Sequence, residues 1–214
     1  MNWMERVKRN VFPVSNEKYN IRKALDEWEY EGSMYDVEIA EEICELCGQP
    51  NIRYQFEIVN VLNNNTLLIG SECITRFKIS VIDQSGKKLS FEEAKKKVMK
   101  DRNRLVTEAK EKSVLNTLVA LAAKDHEFDI ENFIDYFKER KAFTPSQLNV
   151  LIWRLERARI DFKKSHFKLT IKRNREKEQL LKLEDWKLNR IWDCLSNSQK
   201  QFIIENKDIP RSPF

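Results

Sequence analysis

The chain has 214 residues, of which 41% are apolar, with five Trp and twelve Phe, and this composition excludes an intrinsically disordered protein. No apolar run reaches the length of a membrane span and the first residues are charged, so we expect a cytoplasmic protein without a signal peptide or a membrane contact. Residues 1–80 hold 9 Lys/Arg and 13 Asp/Glu, whereas residues 81–214 hold 30 and 21, which places any contact with a polyanion in the second part.

Residues 1–80 are predicted to form a small α+β module with an N-terminal helix. The first 15 residues show no clear period and are predicted to be an arm that docks through Trp3 and Phe12 or stays mobile. Apolar spacing, the three asparagines at 63–65 and the Gly70–Ser71 bend then predict a helix at 17–30, a strand or loop at 34–43, a hairpin from 52–60 and 66–69, and a short helix that contains Cys73.

Residues 81–214 are predicted to form a mainly α-helical, basic domain. Capping-box spacing after Ser90, Thr144 and Ser196 indicates three helix starts. The predicted helices cover 91–112, 113–122, 130–137, 145–155, 180–192 and a last segment from 197, with an extended interval at 163–175 and a frayed end marked by Pro210 and Pro213.

Cys44 and Cys47 are separated by two residues, and Gly48 follows them with a permissive backbone. Two thiolates at this spacing can hold one ion from a tight turn, and the hairpin can return Cys73 to the same point. Because disulfides are uncommon in a reducing compartment, this spacing favours metal binding over cross-linking. The bland alternative is that the three thiols only fill a core.

The interval 43–77, with its two-cysteine turn, hairpin and helical cysteine, resembles the treble-clef zinc fold. The phrase from Arg53–Tyr54 to Gly70–Cys73 also resembles small uncharacterised proteins of bacteria and phages, a likeness that implies no activity. In the treble clef the helix supplies a second ligand three residues after the first, and here that position is Arg76. The resemblance implies Zn²⁺, and because so small a unit needs a cross-link, we expect the ion to be structural.

A tetrahedral zinc site needs a fourth donor, which the sequence does not identify. Asp36 and Glu72 are near in sequence, whereas His126, His166 and Cys194 belong to the helical part. Cys194 has the most suitable chemistry and completes the predicted set of Cys44, Cys47, Cys73 and Cys194, although its neighbours Ile191 and Leu195 also fit a buried thiol.

The stretch 162–177 interleaves aromatic residues with cations, and a strip of this kind can bind a phosphate backbone. The alternative is that its aromatic residues are core and its cations cover a solvated face. The residues predicted to contact phosphates are Lys163, Lys164, Lys168, Lys172, Arg173 and Arg175, and Arg154, Arg157 and Arg159 can widen the patch.

Catalysis is not indicated, because the chain has two histidines, no glycine-rich phosphate loop and no nucleophile motif. A treble clef can host an HNH-type nuclease, but that chemistry needs a histidine base, and residues 52–77 contain none. We therefore expect a nonenzymatic, zinc-stabilised nucleic-acid-binding or accessory protein with no small-molecule substrate. The alternative is a protein-interaction module, such as a phage-type regulator or inhibitor of a host protein.

Overall fold

The computed structural model describes residues 2–207, so the predicted frayed end at Pro210 and Pro213 lies outside the described residues. The chain divides into two compact units, Met1–Ala109 and Lys110–Phe214. The first unit contains a small mixed sheet and the second is mainly helical, which confirms the α+β class. Over residues 2–207, no helix is both long enough and apolar enough to cross a membrane.

Helices alternate with short strands in the first unit and follow one another in the second. The α-helices are α1 (Trp3–Val11), α2 (Ile21–Asp26), α3 (Ser71–Arg76), α4 (Phe91–Lys124), α5 (Glu131–Arg140), α6 (Pro145–Arg157), α7 (Asn174–Leu181), α8 (Asp185–Ile191) and α9 (Asn197–Asn206). The strands are β1 (Trp28–Tyr30), β2 (Met34–Asp36), β3 (Tyr54–Asn60), β4 (Thr66–Ile69) and β5 (Ser80–Val81), and 3₁₀ turns cover Phe12–Val14, Lys164–His166 and Trp192–Cys194.

The sheet of the first unit is built around β3. Antiparallel β4 pairs with one edge of β3, which confirms the predicted hairpin, and Asn64 takes the left-handed conformation in its turn. β1 and β2 both pair antiparallel with β3, and β5 adds to β1 in parallel. Phe56 and Ile58 of β3 are fully buried, so this hairpin forms the centre of the core.

The N-terminal segment is a helix rather than an arm without a period. A capping box between Asn2 and Glu5 begins α1, and its Val7 and Val11 are buried in the core of the first unit. The predicted helix at 17–30 is also wrong in extent, because only α2 is helical and Trp28 begins a strand. The buried indole N–H of Trp28 donates to Ser15 Oγ at 2.9 Å, which ties the end of the N-terminal segment to the sheet.

Helix α4 runs without a break from Phe91 to Lys124, so the prediction of a new helix at Ser113 is wrong. The Ser90 capping box does begin it, since Ser90 N–H donates to Glu93 at 2.9 Å. Ala94 and Val98, in its first turns, are buried in the core of the first unit. The unit therefore extends to residue 109, past the predicted division after residue 80.

The second unit packs helices around a core that includes Phe137, Phe143 and Phe167. Thr144 and Ser196 form the predicted capping boxes at the starts of α6 and α9. Within the interval predicted to be extended, 163–175, Leu169 forms an isolated bridge with Phe143, but Lys164–His166 form a 3₁₀ turn and Asn174 begins α7. The predicted long helix at 180–192 is divided between α7, α8 and a 3₁₀ turn.

Candidate metal centre and basic cleft

The first two cysteines belong to a tight turn between β2 and β3. Cys44 N–H donates to Gln49 O at 2.9 Å, and Gly48 N–H donates back to Cys44 O at 2.8 Å. Gly48 has a φ of +71°, a conformation that glycine adopts without a steric penalty. The turn therefore points the Cys44 and Cys47 side chains into the interior, where both are buried.

The third cysteine comes from the first turn of α3, which directly follows the hairpin. The Cys73 sulfur lies 3.6 Å from that of Cys44 and 3.3 Å from that of Cys47. Gly70, between β4 and α3, donates its backbone N–H to the Cys44 sulfur at 3.4 Å. The hairpin thus returns Cys73 to the two-cysteine turn, as the sequence predicts.

These three buried sulfur atoms lie within 4.8 Å of one another and form a group that can hold a metal ion. The Cys73 thiol hydrogen bond, helped by the Gly70 N–H, lowers the pKa of Cys44 against the effect of burial. The same bond and burial raise the pKa of Cys73. A cation that binds all three sulfurs would displace their protons.

Helix α1 holds the two-cysteine turn from outside, through contacts that the sequence analysis missed. Arg6 Nε donates to Cys47 O at 3.1 Å, and Asn10 Nδ2 donates to Leu46 O at 3.2 Å. A methyl group added at Gly48 would lie 3.3 Å from the Arg6 side chain. Because Arg6 and Asn10 are about 40 residues away from the cysteine turn in the sequence, no local sequence pattern predicts these contacts.

The two fourth-ligand candidates of the first unit are engaged by arginines. Asp36 accepts from Arg53 at 2.6 and 2.8 Å in a bidentate pair. Glu72 lies 3.5 Å from Arg76 and has a side chain 87% exposed. Neither carboxylate belongs to the group of metal-binding atoms formed by the three sulfurs.

The other three candidates belong to the second unit. Cys194 is buried among apolar residues of its core, and this burial raises its pKa to about 12. His166 Nδ1 lies 3.0 Å from Ser113 Oγ, and His126 is exposed. Among residues 2–207, the cysteines of the first unit form the only set of three or more His, Cys, Asp or Glu side chains close enough to share an ion.

The structure places three of the six predicted phosphate contacts on one cleft of the second unit, with a volume of about 530 Å³. They are Lys168, Lys172 and Arg173, and all three are exposed. Lys168 and Lys172 form no hydrogen bond or ion pair through their side chains with any other residue that the structure describes. Their charges are therefore available to a ligand.

Two further cations line the same cleft and were missed from the sequence. Arg140 and Lys141, at the end of α5, reach it because Phe143 pairs in parallel with Leu169. The Phe143 N–H donates to Lys168 O at 2.8 Å and fixes this register. This bridge, whose second hydrogen bond runs from Thr170 N–H to Phe143 O at 2.8 Å, joins two basic segments into one surface.

The remaining three predicted cations lie elsewhere. Lys163 and Arg175 are exposed but do not line the cleft. Lys164 forms an ion pair with Glu156 at 2.8 Å and donates to Arg190 O at 3.1 Å, so it has a structural role.

The neighbouring aromatic and basic residues are mainly structural. Phe167 is 1% exposed and Leu169 is 6% exposed, which agrees with the alternative that the apolar residues of this stretch are core. Arg154 pairs with Asp125 at 2.7 Å and covers the ring of Phe128 at 4.3 Å, so it does not widen the basic patch.

The cleft carries one carboxylate among its described residues, that of Glu176. Glu176 is 6% exposed and accepts from Arg173 N–H at 3.1 Å and Thr170 Oγ1 at 3.3 Å at the start of α7. Its charge is therefore partly neutralised by the helix end, and five cations dominate the wall.

Comparisons of the chain with protein-family models, with curated proteins and with solved structures find no match.

Proposed function

We propose that the protein is a nonenzymatic, zinc-stabilised nucleic-acid-binding protein whose basic cleft holds backbone phosphates. The observation that carries this proposal is the convergence of five cations on one cleft, namely Arg140, Lys141, Lys168, Lys172 and Arg173. Lysine and arginine bind phosphates by releasing condensed counterions, and this requires no particular base sequence.

The two α5 cations already have acidic neighbours, which sets their share of the binding. Lys141 lies 3.0 Å from Glu111 and Arg140 lies 3.1 Å from Glu139. The side chains of Arg140 and Lys141 are both partly exposed, so these two ion pairs are weak and a phosphate can displace the carboxylates. Lys168, Lys172 and Arg173 are therefore expected to contribute most of the affinity.

We propose that the ion held by Cys44, Cys47 and Cys73 is Zn²⁺ with a structural role. Thiolates are soft ligands that suit zinc, and the donors come from a turn and a helix on either side of a hairpin, the order found in treble-clef modules. Bound zinc would link these two segments and supply no chemistry to a substrate. The buried position of all three cysteines supports this role.

The test is a salt titration of nucleic-acid affinity with a charge-matched pair of variants. Lys168→Glu/Lys172→Glu reverses two cations of the cleft, and Lys96→Glu/Lys100→Glu reverses two exposed cations of α4 that do not line it. Fluorescence anisotropy with labelled duplex DNA, single-stranded DNA and RNA gives the dissociation constant at each salt concentration. The control variant preserves the net charge change.

Each phosphate contact contributes about −0.9 to the slope of log K against log salt on duplex DNA, so five contacts set a limit of about −4.5. The cleft variant is expected to reduce the magnitude of the slope by about 2, and the control variant to leave it unchanged. Absence of binding at low salt, or equal losses in the two variants, would contradict the proposal.

A second candidate, a protein-interaction module of the regulator or inhibitor type, is favoured by one surface of the first unit. Tyr35, Ile39 and Ile43 are exposed by 46%, 62% and 56% on a segment that also carries Glu38, Glu41 and Glu42. Apolar side chains within an acidic segment suit a basic partner protein. Binding of such a partner would survive the Lys168/Lys172 reversal, which separates the two candidates.

A further inference from the structure

A cleft of about 510 Å³ opens beside the cysteine cluster, and the three cysteines form part of its wall. Three sulfur donors leave one position of a tetrahedral ion without a ligand from residues 2–207. The cleft therefore gives a molecule from outside direct access to that position.

The rest of the wall is cationic. Arg53, Arg76 and Arg102 line it, whereas Glu72 is its one carboxylate among the described residues. Arg53 is held in place by its bidentate pair with Asp36. Arg102 is exposed and forms no ion pair or hydrogen bond through its side chain with another described residue.

Arg76 is available as well, although it faces Glu72. The two side chains are 53% and 87% exposed and lie 3.5 Å apart, a geometry in which an ion pair contributes little. A dianion that meets two guanidinium groups at once can displace this contact. Glu72 can then turn into solvent, because most of its surface is already exposed.

We propose that this cleft binds a phosphate monoester or inorganic phosphate between Arg76 and Arg102, where a phosphate oxygen becomes the fourth ligand of the metal. The proposal rests on the metal centre proposed above and is independent of nucleic-acid binding by the second unit. Guanidinium groups match the oxygens of phosphate in planar, paired hydrogen bonds. The volume exceeds that of one phosphate, and Tyr54 and Asn51 on the same wall can contact an organic group.

The experiment uses the full chain loaded with Co²⁺, whose visible absorption bands report the number and type of its ligands. Cobalt uptake is measured first, and phosphate or adenosine 5′-monophosphate is then titrated at constant ionic strength, with chloride as the control anion. The same titration is made on Arg76→Gln, on Arg102→Gln and on Arg9→Gln, a matched loss of one exposed arginine outside the cleft.

Phosphate is expected to change the cobalt bands in a saturable way that chloride does not reproduce. Each of Arg76→Gln and Arg102→Gln is expected to weaken phosphate binding about tenfold, the effect of losing one charged hydrogen bond, while Arg9→Gln leaves it unchanged. Tighter binding of the nucleotide would assign the site to phosphate esters, equal binding would show that the phosphate group alone is recognised, and weaker binding of the nucleotide would assign the site to inorganic phosphate.

Cobalt bands that do not respond to phosphate would refute the proposal and leave the metal centre intact. The proposal is also wrong if all three arginine variants bind phosphate as the unchanged protein does. Failure of the chain to take up cobalt would refute the metal centre itself, and this result is distinguishable because uptake is measured before any anion is added.

Discussion

Two single variants, Cys73→Ser and Cys194→Ser, distinguish a cysteine that binds metal from a cysteine that only packs in a core. The Cys73 sulfur lies 3.6 Å from that of Cys44 and 3.3 Å from that of Cys47. A serine hydroxyl stays protonated at neutral pH and is a poor ligand for a metal that prefers thiolate. Cys73→Ser is therefore expected to lose most of the bound metal.

The magnitude follows from the number of donors. Structural zinc sites contribute about 10–16 kcal/mol at neutral pH, which over three sulfurs and one further ligand is about 2.5–4 kcal/mol each. Loss of one sulfur is then expected to lower metal affinity by about 10²–10³.

Cys194→Ser should lower the folding stability and leave the metal content unchanged. Cys194 is buried in the apolar core of the second unit, so a hydroxyl there is expected to cost about 1–3 kcal/mol of folding free energy. Its metal content should equal that of the unchanged protein, because Cys194 lies outside the group of metal-binding atoms.

Metal per chain is measured by atomic emission after purification under reducing conditions, and affinity by competition with a chromophoric chelator. Urea unfolding followed by tryptophan fluorescence gives the stability of each variant. If Cys194→Ser loses as much metal as Cys73→Ser, then Cys194 is the fourth ligand and our assignment is wrong. Full metal content in Cys73→Ser would refute the cluster as a metal site.

Two further predictions concern the first unit. The buried carboxylate of Glu27 accepts hydrogen bonds from Asn60 Nδ2 and from two backbone N–H groups. Burial alone would raise the pKa of Glu27, but these hydrogen bonds outweigh it and lower the pKa. The contribution of Glu27 to folding stability is therefore present above the pKa of the unfolded state and is lost as the pH falls through the pKa of the folded state. Glu27→Gln should cost about 3 kcal/mol at pH 7 and flatten the acid-unfolding profile, with exposed Glu31→Gln as the control; equal profiles would contradict this. Gly48→Ala should weaken metal binding, because alanine is strained at this positive φ and its methyl group would meet the Arg6 side chain. Gly86→Ala introduces the same φ strain in open space and should lower only the folding stability. Equal metal affinities of the two variants would contradict this prediction.

The elements that could be predicted from sequence carry their signals within a few residues. The 63–65 asparagine turn and the Thr144 capping box satisfy their own backbone groups locally. At the Gly70 bend the carbonyl accepts locally from Cys73 N–H, whereas the Gly70 N–H donates to the distant Cys44 sulfur. The metal cluster follows from the same local features, because the hairpin length brings Cys73 back to Cys44.

The errors occur where distant packing decides between two acceptable local patterns. Ser113 has the residue type of a helix cap, yet in the structure α4 continues through it, and Thr117 Oγ1 donates to its carbonyl oxygen at 2.8 Å. Trp28 fits helical spacing with α2, but Trp28 pairs with Asn60 in the sheet. For Trp28 a helical wheel cannot distinguish helix from strand, because its partner in the sheet, Asn60, is 32 residues away in the sequence.

The basic cleft shows the same limit at the level of function. Lys168 and Lys172 stand out as part of a charge run, whereas Arg140 and Lys141 end an ordinary amphipathic helix. Only the pairing of Phe143 with Leu169 places the two segments side by side.

The structural role that we propose for the metal has a different physical basis from the one that the sequence suggests. A segment as small as residues 43–77 would need a cross-link if it folded alone, but in the structure it belongs to a unit of 109 residues, and Cys44 and Cys73 share its core with Phe56 and Trp28. The sheet has a buried apolar core of its own, which includes Phe56 and Ile58. A bound ion would join the two-cysteine turn to the start of α3, which already meet through the Gly70 N–H bond to the Cys44 sulfur and through the burial of Cys44 and Cys73. We therefore expect metal binding to act on local opening of these segments rather than on the folding of the whole unit.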